Sequence, residues 1–297
     1  MRFKDVVLLA FSALKFRKLR AALTMLGVVI GASLMIILTS QAAGLNQYFV
    51  NQVSKTGLNL IFVIPVRGYR VSAYDLPSFS SISGVRKVIP LIIGSAVISV
   101  SDKFMSVQVV GIDSDSLQEV FPGLKLADGT LPGKYDYVSL LLGVNVANPI
   151  EEEGEDEVQP LMVGQTVSVT FRRLRAKPYV ASMVVMGMLE SYGAIMPFSI
   201  DDSVVISLEA ADSMFNKRHY YDALILVAED VSLVDQVIEH VTDLYGQRVR
   251  VIAPSQMIET MTNISSQISS FLGLIATVSL VVAGIGIANI YNVYFGY

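Results

Sequence analysis

"FLGLIATVSLVVAGIGIANI", residues 271–290, contains no charged side chain, and neither does "LTMLGVVIGASLMIILTSQAAG", residues 23–44. A helix rises about 1.5 Å per residue, so about 20 apolar residues cross the hydrocarbon core of a bilayer. Both blocks have that length, which predicts two membrane spans near the ends of the chain. They account for a composition that is 53% hydrophobic, above the 45–50% usual for soluble domains. The residues between them have ordinary polarity and are numerous enough for one or two folded domains.

Charge orients the arrangement. Residues 1–43 carry Arg2, Lys4, Lys15, Arg17, Lys18 and Arg20 against Asp5, a net of +5. The rest of the chain carries 16 Lys and Arg against 25 Asp and Glu, a net of −9. Basic residues beside a span mark its cytoplasmic side, so the N-terminus is expected inside and the middle segment outside. That acidic balance leaves no extended basic surface for nucleic acid. The absence of cysteine excludes disulfides and thiolate metal sites. Cleavage as a signal peptide at "SQAAG" is the rival reading of the first block. The long basic region before it, the length of the apolar run and helical spacing that continues past Ala43 all oppose it.

Residues 2–19 place Phe3, Val6, Val7, Ala10 and Leu14 on one helical face, with Lys4, Ser12 and Lys15 opposite and Leu8 breaking the polar side. A basic amphipathic helix of this kind lies in the membrane interface. Gly27 and Gly31 in the first block, and Gly284 and Ala288 in the second, are small residues one helical turn apart. Such pairs let helices approach closely in lipid. Both spans are expected to continue outward as stalks. Leu38, Ala42, Leu45 and Phe49 follow an a/d rhythm, as do Met257, Met261, Ile264, Ile268 and Phe271. Leu45, Phe49, Met261 and Ile264 are the expected contacts between the stalks.

The middle reads as mixed α and β. "LNLIFVIP", "VIPLIIGSAVISV", "KFMSVQVVGI" and "DSVVISL" have strand character, and "GQTVSVTF" with "YVASMVVMGML" reads as a hairpin. "YDALILVA" and "RVRVIAP" bracket a helix over 232–245, giving a β-α-β unit. Ser232 is the expected N-cap, Gly246 the stop, and Val234, Val237, Ile238, Val241, Leu244 and Tyr245 the apolar face.

The charged clusters offer little chemistry. "EEEGEDE", residues 151–157, lacks the alternation of ligands that calcium needs and reads as a solvated loop. "FRRLRAKP", residues 171–178, reads as a basic hairpin tip, with anionic head groups or an acidic partner as its alternative role. His219 and His240 have no evident metal or triad partners. Neither a P-loop nor a G-x-S-x-G motif occurs. The chain is therefore expected to be no enzyme and to hold no cofactor.

"KFRKLRAALTMLGVVIGASLMI", residues 15–36, together with Ala283-Gly284-Ile285-Gly286-Ile287-Ala288-Asn289, resembles the permease subunits of MacB/FtsX-type ABC transporters. "GQTVSV…MVVMGML" and "DDSVVISLEAADSMF" are similar to the strand pattern of that family's extracellular domain. The resemblance implies an α+β fold with a porter-like β-α-β part at 44–115 and 220–270. A mostly β sabre-like insertion would occupy 116–219. A cytoplasmic amphipathic helix at 1–20, spans at 21–43 and 271–291 and a short tail at 292–297 complete the expected plan. It further implies a cytoplasmic ABC ATPase subunit that hydrolyses ATP, a second permease copy, and a bilayer location with the large domain outside. ATPase motion would be relayed through the stalks for export or extraction. The family's charged segment after the second span and its third and fourth spans have no counterpart here, so the chain is expected to be half a permease, from a truncated or split gene or a chain cut short. The alternative from another class is a membrane-tethered extracellular binding or adaptor module with no ATPase.

Overall fold

The computed structural model describes residues 29, 32–33, 35–45, 47–48, 57–66, 68–100, 103–149, 160–173, 176–195 and 198–295. The basic helix expected at 2–19, the acidic run 151–157, and Gly27, Gly31 and Phe49 lie outside them. The chain forms two units, one of residues 50–258 and the other of residues 1–49 with 259–297.

The larger unit is built on strands that are apolar on both sides. β1 (Leu60–Pro65) and β13 (Ala223–Ala228) run antiparallel, with Leu60 opposite Val227 and Phe62 opposite Ile225. Leu60, Phe62, Ile225 and Val227 face one core, while Ile61, Val63, Leu224 and Leu226 face another. Burial of both faces explains why "LIFVIP" and "ALILVA" read as unbroken apolar runs. Each such side chain contributes about 1.5–3 kcal/mol on leaving water. β14 (Val249–Ile252) pairs with the other edge of β1, also antiparallel. β13 and β14 are therefore parallel strands with β1 inserted between them.

They are joined by the helix α5 (Val234–Tyr245), which covers the outer face of this sheet through Val234, Val237 and Val241. The expected helix is present, with two corrections. Its entry is capped by Asp230, whose side chain accepts from the Ser232 backbone N–H and from the Ser232 hydroxyl, across a 3-10 turn at Val231–Leu233. Asp230 wins because its carboxylate reaches two donors at once. Leu244 is 64% exposed and off the buried face. Gly246 ends the helix at φ +56. Phe79, from the short helix α1 (Leu76–Ser80) that follows β2 (Val71–Ser72), stacks on Tyr245 at 4.3 Å.

β3 (Val85–Val100) belongs to two assemblies. Its first half pairs with β13, from Val85 to Leu91. From Ile92 onward it pairs with β4 (Lys103–Gly111). β4 pairs in parallel with β11 (Ser203–Ile206), which pairs with β6 (Ser139–Leu142). β6 runs parallel to β8 (Tyr179–Leu189), and β8 is the hairpin partner of β7 (Thr166–Phe171). β7 then returns to β3 over Ala96–Ser99. The six strands β3-β4-β11-β6-β8-β7 close a ring, which removes their free edges.

Ala96, Ile98, Val107, Val109, Leu140, Leu142, Val169, Phe171 and Val185 form the core of the ring with the helix α4 (Leu208–Phe215). α4 approaches the strands closely. A Cβ at Gly111 would lie 2.2 Å from the Ala211 Cβ, and one at Gly94 would enter the Phe215 ring. The outward faces of β4, β11 and β6 (Val110, Val205, Leu141) join the inner face of the β1/β13 sheet and the helix α2 (Ser114–Val120) in a second core. Glu119 of α2 pairs with Arg86 at 2.7 Å and with Lys87 at 2.8 Å.

Candidate functional site

With few charged groups converging, the site with most physical definition is where the chain enters and leaves the larger unit. Entry is onto β1. Leu60 N–H donates to Gly57 O at 3.1 Å, and Asn59 grips the end of β13 twice: its Nδ2 donates to Ala228 O at 3.0 Å, and its carbonyl accepts from Ala228 N at 2.8 Å. Exit is from β14, the neighbour of β1, at the same end of the sheet. Ala253 is buried, and α6 (Pro254–Phe295) starts immediately after it. In the first turn of α6, Gln256 Nε2 donates to Asp235 Oδ1 in the first turn of α5 at 3.2 Å. Entry and exit thus share adjacent, mutually hydrogen-bonded strands, and each is tied to a second element.

α6 is one helix of 42 residues, about 63 Å long at 1.5 Å per residue. Its first part is the Ser- and Thr-rich segment expected as a stalk, and its second contains the apolar block. In the smaller unit residues 35–45 are also helical, and Thr39 Oγ1 donates back to Met35 O at 2.7 Å. Among the described residues no helix is long and apolar enough to cross a membrane; the apolar block of α6 includes positions whose side chains are not described. Leu45 is 58% and Ile264 44% exposed, and Met261 is half-buried. Gly284 has open space where a Cβ would stand. The backbone at Ala288 is helical, and its side chain lies outside the description.

The remaining candidates are scattered over the larger unit. Arg173, at the expected hairpin tip, donates through Nη2 to Ser213 O at 3.0 Å and through Nε to Met214 O, closing the C-terminal end of α4. His219 Nδ1 lies 3.5 Å from Asp212 Oδ2 and its ring is exposed. His240 Nδ1 is buried with no partner among the described residues. No group of metal-ligating side chains occurs among the described residues. A cleft of about 710 Å³ opens beside Tyr69, Tyr245 and Arg248 at the C-terminal end of α5. Burial pushes the Tyr69 and Tyr245 hydroxyls above their ordinary pKa, and the Asp75 carboxylate adds to the effect.

Sequence reasoning missed one polar keystone. Asp201 is 7% exposed, and its carboxylate accepts from Tyr192 N at 2.8 Å, Gly193 N at 2.9 Å and Ser191 Oγ at 2.9 Å. Its own carbonyl accepts from Asn145 N. The only sequence signal is an Asp-Asp pair ahead of a strand, which is common in turns.

This fold, with terminal helical segments joined to neighbouring strands, falls within a defined class. Residues 21–244 match the family of the MacB-like periplasmic core domain, and the chain belongs to that family. It is 20% identical to an uncharacterized ABC transporter permease of Methanocaldococcus jannaschii, over 97% of this chain and 71% of that protein. It is 25% identical to the macrolide export ATP-binding/permease protein MacB of Bdellovibrio bacteriovorus, over 94% of this chain and 45% of MacB. The crystal structure of the periplasmic region of MacB from Actinobacillus actinomycetemcomitans is similar at 16% identity and a TM-score of 0.49, covering 73% of this chain and 98% of that one.

Proposed function

We propose that the chain is a permease-type subunit of a MacB-like ABC transporter that relays the stroke of a separate cytoplasmic ATPase to residues 44–270 on the far side of the membrane. One observation carries this reading. α6 extends unbroken from the strand beside β1 through the polar segment into the apolar block. A displacement delivered along it reaches the sheet at the edge where the chain also enters. A continuous helix transmits such a displacement when the sheet has two discrete arrangements to move between.

In this proposal residues 21–43 and 271–291 span the bilayer with the N-terminus inside, and Gly27, Gly31, Gly284 and Ala288 pack the spans. Leu45, Phe49, Met261 and Ile264 meet between the stalks of one chain or with a second copy. The exposure of Leu45 and Ile264 in the single chain leaves both available for that contact. ATP hydrolysis belongs to the partner, whose docking element is the basic helix at 2–19.

The test is co-purification from membranes. An ATP-binding subunit accompanies the full chain and is lost on deleting residues 2–19. Ligand capture by the full chain with no ATP-binding subunit present would instead establish a tethered binding module. Replacing both Gly27 and Gly31 by Leu should weaken crosslinking between the two spans; unchanged crosslinking removes the packing role.

A further inference from the structure

The fold brings together three basic segments that are distant in sequence. Arg173 reaches the C-terminal end of α4 through the bonds to Ser213 and Met214, and the exposed Arg172 precedes it in the chain. That end leads directly into Asn216-Lys217-Arg218-His219. Arg70 lies over the ring of the next residue, Tyr220, at 5.6 Å.

The loop is unusual in its backbone. Asn216, Arg218 and His219 have φ of +55, +57 and +61, a left-handed conformation that side chains other than glycine rarely adopt. The loop is held there by acids that point inward. Asp212 accepts from His219 N at 2.7 Å and faces His219 Nδ1. Asp222 accepts from Lys217 Nζ at 2.6 Å and from Ile93 N at 3.0 Å. With these carboxylates occupied, Arg70, Arg172 and Arg218 are exposed and no described carboxylate pairs with them. Asn216 is the left-handed cap of α4, and the two further left-handed residues, Arg218 and His219, are backbone outliers from which a hypothesis of function is drawn.

We propose that this surface docks an acidic polypeptide segment of a partner protein. A tyrosine ring beneath the Arg70 guanidinium limits its freedom and leaves its N–H edge open to a carboxylate in forked geometry. A second such pair, Arg173 over Tyr179 at 4.5 Å, flanks the loop. The chain as a whole is acidic, at −4, so a local cluster of arginines with no ion pair among the described residues stands out against its own field and steers an acidic partner to one place. Position favours protein over lipid. On the proposed function, which puts the spans before β1 and after β14, β12 (Tyr220–Tyr221) lies at the other end of the sheet: it pairs with β2, beyond the Pro65 end of β1, whereas β1 begins and β14 ends at the Leu60 end.

The test uses the full chain in a neutral-lipid nanodisc and a fluorescent octaglutamate peptide at low salt. We expect saturable binding that weakens as salt rises, and that the double variant R70E/R218E weakens at least about tenfold. R250E, an exposed arginine on β14, should bind like wild type. Melting curves establish that the variants are folded. Equal binding by wild type and R70E/R218E overturns the proposal. So does no binding to octaglutamate alongside capture of phosphatidylglycerol vesicles, which assigns the surface to lipid, or self-association lost in R70E/R218E, which assigns it to a second copy. None of these outcomes bears on whether an ATPase co-purifies.

Discussion

The β1/β13/β14 sheet and the six-stranded ring share β3 but are stabilised in different ways. The sheet is a layer of Leu, Ile and Val between two cores, covered by α5. The ring depends on close backbone approaches and on a buried carboxylate. α4 fits against it because residues 94 and 111 lack a Cβ, and the segment between β8 and β11 is gathered by Asp201. A layer of aliphatic side chains tolerates small repacking, whereas a buried polar hub fails when one member is removed. The difference places graded, deformable packing beside the chain's entry and exit, and specific, brittle packing in the ring.

The largest expected effect is therefore in the ring. Asp201→Ala leaves the buried Tyr192 N–H and the half-buried Gly193 N–H without an acceptor and should cost about 4 kcal/mol, about 3 for the buried donor and about 1 for the half-buried one. Chemical denaturation with intrinsic tyrosine fluorescence measures it. A cost under about 1 kcal/mol would show that water replaces the carboxylate and that the ring is no more brittle than the sheet. Leu226→Ala, in the sheet, should cost about 3 kcal/mol, within the usual range for a buried leucine. Hydrogen exchange on both variants sharpens the contrast. If the two parts unfold separately, Asp201→Ala should speed exchange in β7 more than in β13.

Much of the sheet was legible in sequence, and the ring's closure was not. Runs such as "ALILVA" declare strands by apolar content alone, and the alternation in "TVSVTF" declares a half-buried hairpin. α5 was evident from the spacing of Val234, Val237 and Val241. The pairing of β4 with β11 joins Gln108 to Ser203, and no local pattern encodes a parallel contact across so many residues. β3 reads as one strand because it is one; that it changes partner at Leu91 depends on what meets it. At the site, the helical character of the segment that forms α6 was visible, since periodicity reports it. The grip of Asn59 on Ala228 and the basic loop at 216–219 were not, because both arise from tertiary contacts.

A smaller effect tests the close approach. Gly111→Ala sets a methyl group against the Ala211 Cβ, where neither partner can rotate away. Overpacking of this kind costs about 1–3 kcal/mol, and Gly111→Ala with Ala211→Gly should recover most of it. Failure of that rescue would mean that Gly111 serves strand geometry and not the fit of α4.

The smallest effect concerns pH. The Tyr192 hydroxyl donates to Pro122 O at 3.0 Å, and burial pushes its pKa from 10.0 up to about 12. Because the folded state holds the neutral phenol more tightly, this contribution is complete below pH 10 and is lost as pH climbs toward 12. Tyr192→Phe removes the hydrogen bond at a cost of about 1 kcal/mol near neutrality. Its melting temperature should then fall less steeply than that of the wild type between about pH 9.5 and about pH 11.5, a span that includes the ordinary tyrosine pKa of about 10. Parallel pH profiles would show that Tyr192 reaches solvent, and the tight packing inferred beside Asp201 would then stop short of its ring.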